Sequence, residues 1–255
     1  MKLSKAFQNK TLMTIPEKLN WDSDFFNRSI GRLNIYDAQN FDAVEFLKIA
    51  KQEYDLVYVF SHQNLLPVDK VTEANLELVD IMITMSMPFI KTHHSNKKFD
   101  LKNSLTKEEI MGCYEVAEQT SIVSRFYNEP VIGPEKAKAL YRRWIDNALN
   151  GSFCDGVLIT KYDEIVTGIH VVSTDLKNNT GTCSLIGVNS NLKGKGIGKV
   201  LWDQALGYWA SYDNISTCRV PFSINNKESF NFHLKIGFNY IESIKYIYHY
   251  RNTNI

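Results

Sequence analysis

Ser184-Leu185-Ile186-Gly187-Val188-Asn189-Ser190-Asn191-Leu192-Lys193-Gly194-Lys195-Gly196-Ile197-Gly198-Lys199-Val200-Leu201 carries an apolar strand into a lysine-studded glycine turn that opens an amphipathic helix. Backbone amides converge on one oxyanion only where close approach and unusual φ/ψ angles are allowed. Gly194, Gly196 and Gly198 supply that freedom. The helix that follows directs its unpaired N–H groups and the positive end of its dipole at the same point. Lys193, Lys195 and Lys199 add positive charge around it. Ile197, Leu201, Ala205, Tyr208 and Trp209 recur at roughly helical spacing and predict a face packed on a sheet. The guest such a turn suits is a phosphate or pyrophosphate.

Other phosphate loops do not fit. A P-loop with its Gly-Lys on Gly198-Lys199 finds Lys193 in place of its first glycine and Val200 in place of its magnesium-binding hydroxyl. A dinucleotide fingerprint loses its third glycine to Lys199 or to Leu201, and the loop lies too late for the second half of a doubly wound fold. What remains is [Q/R]-x-x-G-x-[G/A], read over Lys193-Gly194-Lys195-Gly196-Ile197-Gly198. On this motif the chain resembles the GCN5-related N-acetyltransferase (GNAT) superfamily. Its members hold the pyrophosphate of acetyl-coenzyme A in such a turn. Lys193 departs from the Arg or Gln the family prefers but keeps the charge. The resemblance implies acetyl-coenzyme A as acyl-donor cosubstrate, without a metal, bound by residues 193–199.

A second family signature follows downstream: Asn226-Lys227-Glu228-Ser229-Phe230-Asn231-Phe232-His233-Leu234-Lys235-Ile236-Gly237-Phe238. Its helix is predicted independently. Ser223 or Asn226 can cap it, Phe230, Leu234 and in part Phe232 give an apolar face, and Gly237 can close it in a left-handed conformation. The resemblance adds Asn226 and Ser229 to the coenzyme contacts. Where many relatives carry a tyrosine that protonates the departing thiolate, this chain has His233. Its free pKa near ~6.5 suits a general acid; the alternative is a polar helix residue, with water as the proton source.

A third resemblance concerns the acceptor. Trp21-Asp22-Ser23-Asp24-Phe25-Phe26-Asn27-Arg28-Ser29-Ile30-Gly31-Arg32, Ser124-Arg125-Phe126-Tyr127-Asn128-Glu129-Pro130 and the helix around Ala139–Ile145 look like stretches of dTDP-fucosamine acetyltransferases. Those enzymes acetylate the 4-amino group of a nucleotide-linked amino-dideoxy sugar for cell-surface polysaccharide, and carry a small N-terminal domain. The resemblance implies a nucleotide-sugar acceptor and a homodimer. Arg125 can then pair with the nucleotide diphosphate and Tyr127 stack on sugar or base, or both belong to a packing cluster. Asp24 and Arg32 have the same two readings, sugar contact or structural ion pair.

Bulk properties set bounds. A chain of 255 residues can bury one large core or two modest ones, and its formal net charge of +1 argues against a general nucleic-acid binder. Cys113, Cys154, Cys183 and Cys218 form no C-x-x-C pair, which suits a reducing compartment and gives neither a disulfide framework nor a zinc site. Residues 1–16 lack the apolar core of a signal peptide, and no stretch approaches the ~20 apolar residues of a spanning helix. The cytoplasm is the default expectation, with no membrane insertion.

The element pattern predicts an α/β chain: a small N-terminal α/β domain over 1–100 and an acyltransferase domain of mixed sheet over 101–255. In the first, a strand-like start over Lys18–Ile35, a helix over Phe41–Glu53, a strand over Asp55–Ser61 and an apolar run, Leu78–Met85, pairing with it are expected. The linker is placed near Lys91–Ser104. The second domain reads as a helix from a Thr106/Glu109 capping box, a helix from Pro134 to Asn150, strands at Gly156–Thr160, Ile165–Ser173 and Gly181–Val188, the glycine-loop helix, a strand at Thr217–Phe222, the Asn226 helix and a strand at Lys245–Arg251.

In the family's fold two neighbouring strands splay, so a free N–H at the end of the Gly181–Val188 strand, from Ile186 or Val188, meets the thioester carbonyl as an oxyanion donor, and the strand edge pairs with the pantetheine arm. That strand carries no carboxylate, which leaves His170 or a water chain as base and gives His170 a place beside the acceptor; on an apolar strand it reads equally as a core histidine. Two other function classes stay open. One is an acyltransferase acting on a protein N-terminus, amino acid or polyamine; the other is a non-catalytic acyl-coenzyme A binder.

Overall fold

The computed structural model describes residues 14–91, 101 and 105–252. In chain order the elements are β1 (Glu17–Lys18), α1 (Asn20–Phe26), β2 (Ile30–Ile35), α2 (Ala43–Glu53), β3 (Leu56–His62), α3 (Val68–Glu73) and β4 (Leu76–Pro88). There follow α4 (Lys107–Ser121), α5 (Pro134–Leu149), β5 (Gly156–Tyr162), β6 (Ile165–Asp175), β7 (Thr180–Val188), α6 (Ile197–Trp209), β8 (Thr217–Ser223), α7 (Lys227–Lys235) and β9 (Tyr240–Arg251). The chain forms two compact units, one from Met1–Ile83, Ser223–Asn225 and Ser243–Ile255, the other from Thr84–Phe222 and Asn226–Glu242. Residues 92–100 and 102–104, most of the expected linker, lie outside the described residues.

In the first unit β2 runs antiparallel to β1 and parallel to β3, and β3 runs antiparallel to β9. The expected partnership of β3 with the Leu78–Met85 run is corrected here. Both edges of β3 are taken, by β2 and by β9 with Leu56 opposite Arg251 and His62 opposite Lys245. The reason lies in period-two alternation: Tyr248 and Tyr250 of β9 enter the same buried cluster as Val57 and Val59 of β3 and Phe46 of α2. The strand-like start is corrected too, because α1 interrupts it. Trp21 stacks on Phe25 one turn later with centroids 4.9 Å apart, Phe26 is fully buried, and Asn27 ends the helix in the left-handed region at φ 51°.

The second unit contains a mixed sheet: β5, β6 and β7 are antiparallel neighbours and β8 joins β7 in parallel. Alternation along β6 assigns its two faces. Ile169 and Val171 pack with Cys113, Val116 and Ala117 of α4 and with Tyr141 and Ile145 of α5. His170 points the other way, its Nδ1 3.2 Å from the Leu201 carbonyl of α6 and its ring against Trp202. The sheet therefore carries α4 and α5 on one face and α6 on the other. The capping box forms as predicted: Thr106 Oγ1 accepts from the Glu109 N–H and Glu109 Oε2 accepts from the Thr106 N–H. Among the described residues, no helix is long and apolar enough to cross a membrane, and no group of three or more His, Cys, Asp or Glu is placed to hold a metal ion.

Candidate active site

The strand edge comes first. β7 and β8 pair over Thr180–Thr182 and Thr217–Arg219, and among the described residues that register does not continue to Val188. On its other edge β7 stays paired with β6 to the end, Val188 opposite Gly168, and the Asn189 N–H donates to the Thr167 carbonyl at 2.9 Å. Peptide groups alternate sides along a strand, so Gly187 shares the direction of Asn189, toward β6, whereas Ile186 and Val188 present theirs on the β8 side where pairing has ceased. Both nominated oxyanion donors thus lie on an unpaired edge. Gly187 lets α4 sit close: a Cβ there would stand 2.4 Å from Thr120 Oγ1.

After β7 the chain makes a short 3₁₀ turn, Ser190–Leu192, capped by Asn189, and enters the glycine turn. The Ser190 N–H donates to Gln119 Oε1 of α4 at 2.8 Å, which ties the turn to the helix beside it. Gly194 and Gly196 have φ of 80° and 82°, the left-handed region, and among the described residues, chain neighbours aside, nothing lies within 4 Å of where a Cβ would stand on either. Gly196 caps α6 without a side-chain hydrogen bond. The first N–H groups of α6 are thereby presented at an open, backbone-lined hollow. These residues fit an anionic guest.

Turn, strand edge and α7 enclose a cleft of about 970 Å³. Of the residues predicted for the coenzyme, Ile186, Val188, Lys193, Gly194, Gly196, Ile197, Gly198, Lys199, Asn226 and Ser229 line it, and Lys195 does not. Asn226 is the cap of α7, its Oδ1 accepting from the Ser229 N–H at 3.0 Å. Sequence reasoning missed Gln119, Thr120, Trp202, Asp203, Glu228 and Phe232, which also line the cleft. For Gln119 and Thr120 no local signal existed, since 71 residues separate Gln119 from Ser190. For Phe232 one did: Gly198 leaves room for its ring, which would stand 3.2 Å from an added Cβ.

Besides Lys195, four predicted residues lie outside the cleft lining. His233 is fully buried, stacked on Phe222 at 5.3 Å and edge-on to Trp202 and Phe238, with Nδ1 2.7 Å from the Ser229 carbonyl. This corrects the apolar face expected for α7: its buried residue is His233, while Leu234 is exposed, because Ser229 and His233 share the inward side. His170 is fully buried beside Trp202 and Trp209. Neither histidine is among the residues lining the cleft, although Ser229, which does line it, has its Oγ 3.2 Å from His233 Nδ1. Arg125 and Tyr127 are not in the cleft wall either. The Arg125 guanidinium lies over the Phe126 ring at 4.2 Å, and Phe126 packs on Trp144, the packing reading of that segment.

Burial, opposed in each case by a weaker bond to a backbone carbonyl, pushes the His233 imidazole down to about 4 and His170 to about 3. Both values lie below the free value of 6.5, so the unfolded chain binds protons that the folded chain refuses. Their stabilising contribution is present above pH ~6.5 and is lost as pH falls through that value toward 4 and then 3. We expect the urea-unfolding free energy to fall between pH 6 and 4.5. In His233→Phe that fall is shallower by about one proton, roughly 1.4 kcal/mol per pH unit. An identical slope in the variant removes His233 from the titrating core.

Residues 112–238 match the model of the acetyltransferase (GNAT) family. No curated protein matches the chain. Among solved structures, a functionally unknown conserved protein from Staphylococcus epidermidis is similar at a TM-score of 0.59 and 12% identity, over 88% of this chain and 84% of that one. That likeness is one of fold. A putative acetyltransferase of the GNAT family from Novosphingobium aromaticivorans matches over 78% of this chain and 75% of its own, at 10% identity and a TM-score of 0.46. The PaiA N-acetyltransferase of Thermoplasma acidophilum, solved in complex with coenzyme A, matches over 58% of this chain and 95% of its own, at 18% identity and a TM-score of 0.44.

Proposed function

The chain belongs, through residues 112–238, to the acetyltransferase (GNAT) family, and we propose that it transfers the acetyl group of acetyl-coenzyme A to the 4-amino group of a nucleotide-linked amino-dideoxy sugar. The observation that carries the donor half is the left-handed Gly194 and Gly196 pair, open on the side where a Cβ would stand, at the N-terminus of α6. Acetyl-coenzyme A supplies the activated acetyl thioester. The turn amides, with Lys193 and Lys199, would hold its pyrophosphate, and the unpaired edge of β7 its pantetheine arm. The N–H of Ile186 or Val188 would stabilise the charge that builds on the acyl oxygen, a role typically worth about 10²–10³ in rate.

The acceptor half rests on the sequence likeness of Trp21–Arg32 and Ser124–Pro130 to dTDP-fucosamine acetyltransferases. Such an amine is only moderately basic, so part of it is unprotonated and nucleophilic at neutral pH without a strong base. With both histidines buried, held neutral by that burial and absent from the lining of the cleft, solvent is the proton carrier this reading favours.

The test is release of free thiol from acetyl-coenzyme A with dTDP- and UDP-linked amino sugars beside free amino acids and polyamines. Release confined to a 4-amino-dideoxy sugar nucleotide is the expected result. Turnover with polyamines or amino acids instead moves the acceptor class, and coenzyme binding with no thiol release on any amine makes the protein a non-catalytic acyl-coenzyme A binder.

A further inference from the structure

The lysine that opens the glycine turn already has a partner across the cleft. Lys193 Nζ lies 2.5 Å from Glu228 Oε2, although 35 residues separate the two in sequence, and both residues line the cleft. Glu228 stands in the first turn of α7, so its carboxylate is held by the positive end of that helix as well as by the ammonium. The side chains are 54% and 74% exposed, which places the pair on the rim, where water screens it and side-chain motion on the nanosecond scale can break it. Lys199 is matched too, at 2.8 Å from Asp203, but that is an i,i+4 pair within one helix, ordinary helix chemistry. The Lys193–Glu228 bridge differs because it joins the turn to the helix facing it.

We infer that Glu228 sets the affinity of the cleft for its polyanion: the Lys193–Glu228 bridge is a latch across the rim, and a diphosphate entering the turn takes Lys193 from Glu228. The inference rests on the coenzyme A reading of the site. No bond is made or broken; one ion pair is exchanged for another, and the freed carboxylate then stands beside bound phosphate as a like charge. Entry is made less favourable and departure of the spent coenzyme is made easier, because Glu228 can reclaim Lys193. A thioester without phosphates has no means of taking part in the exchange.

Calorimetric titration of the full chain with coenzyme A and with S-acetylpantetheine tests this. Glu228→Gln is expected to tighten coenzyme A binding about two- to fivefold at low salt, the scale of an exposed ion pair. The gain shrinks as ionic strength rises. It is absent for S-acetylpantetheine and smaller in a Lys193→Gln background, where only the like-charge repulsion between Glu228 and phosphate is left to relieve. Unchanged or weaker coenzyme A binding by Glu228→Gln, or an equal gain without Lys193, overturns the latch alone, provided the wild-type chain binds coenzyme A. Failure of the wild-type chain to bind coenzyme A overturns the donor reading and the latch with it.

Discussion

Replacing Gly196 with valine is expected to weaken coenzyme A binding about tenfold or more while secondary structure is retained. At φ 82° a non-glycine residue is held where its Cβ crowds the backbone carbonyl, at roughly 1–2 kcal/mol, and a β-branched residue fares worst there. Among the described residues, its chain neighbours aside, nothing lies within 4 Å of the new Cβ, so the position is open to a side chain. The isopropyl group instead occupies the hollow over which the first amides of α6 are presented. Titration of the variant with coenzyme A beside its circular dichroism spectrum measures both halves of the prediction. An affinity within twofold of wild type removes the turn as the phosphate cradle.

The largest loss of stability is expected from Trp202→Ala. Trp202 is 1% exposed and touches His170, Trp209, His233 and Phe238, so it joins the α6 face of the sheet to the underside of α7. Truncating an aromatic side chain of this size in a close-packed core removes about 3–5 kcal/mol, which lowers the unfolding midpoint of a chain this long by roughly 6–20 °C. Because Trp202 also lines the cleft, coenzyme A affinity should fall with it. Thermal unfolding with and without the coenzyme separates the two effects. A destabilisation below about 1 kcal/mol means that the aromatic cluster can collapse onto the cavity.

How much of this was legible in the residues depends on how local each requirement is. The glycine turn could be read because a left-handed backbone at Gly194 and Gly196 is a property of those residues alone, and the Thr106–Glu109 box and the Asn226 cap because their partners stand three positions apart. His233 could not be placed from its neighbours in sequence. Its helix offers Phe230, Phe232 and Leu234 as apolar candidates, and only packing on Phe222, Trp202 and Phe238 decides that the imidazole turns inward. α1 went unread because its aromatic residues suit a strand equally well, and the helix is decided by the Trp21–Phe25 stack and the left-handed Asn27. Gln119 and Glu228 meet the turn only through the fold, across 71 and 35 residues.

The antiparallel pairing of Leu56 with Arg251 has a consequence for how the protein is made. On the ribosome, Leu56 emerges long before Arg251, and until then one edge of β3 carries bare N–H and C=O groups beside Val57 and Val59. The N-terminal unit therefore completes its sheet only after every residue that lines the cleft has been translated, and closing so long a loop slows that step. A fragment cut at residue 83 keeps β2 and β3 but lacks β9, the strand that pairs with the free edge of β3. Expressed by itself, it presents an open template for strand addition, so the unit that comes first in the message is the one that cannot be isolated from its 3′ end.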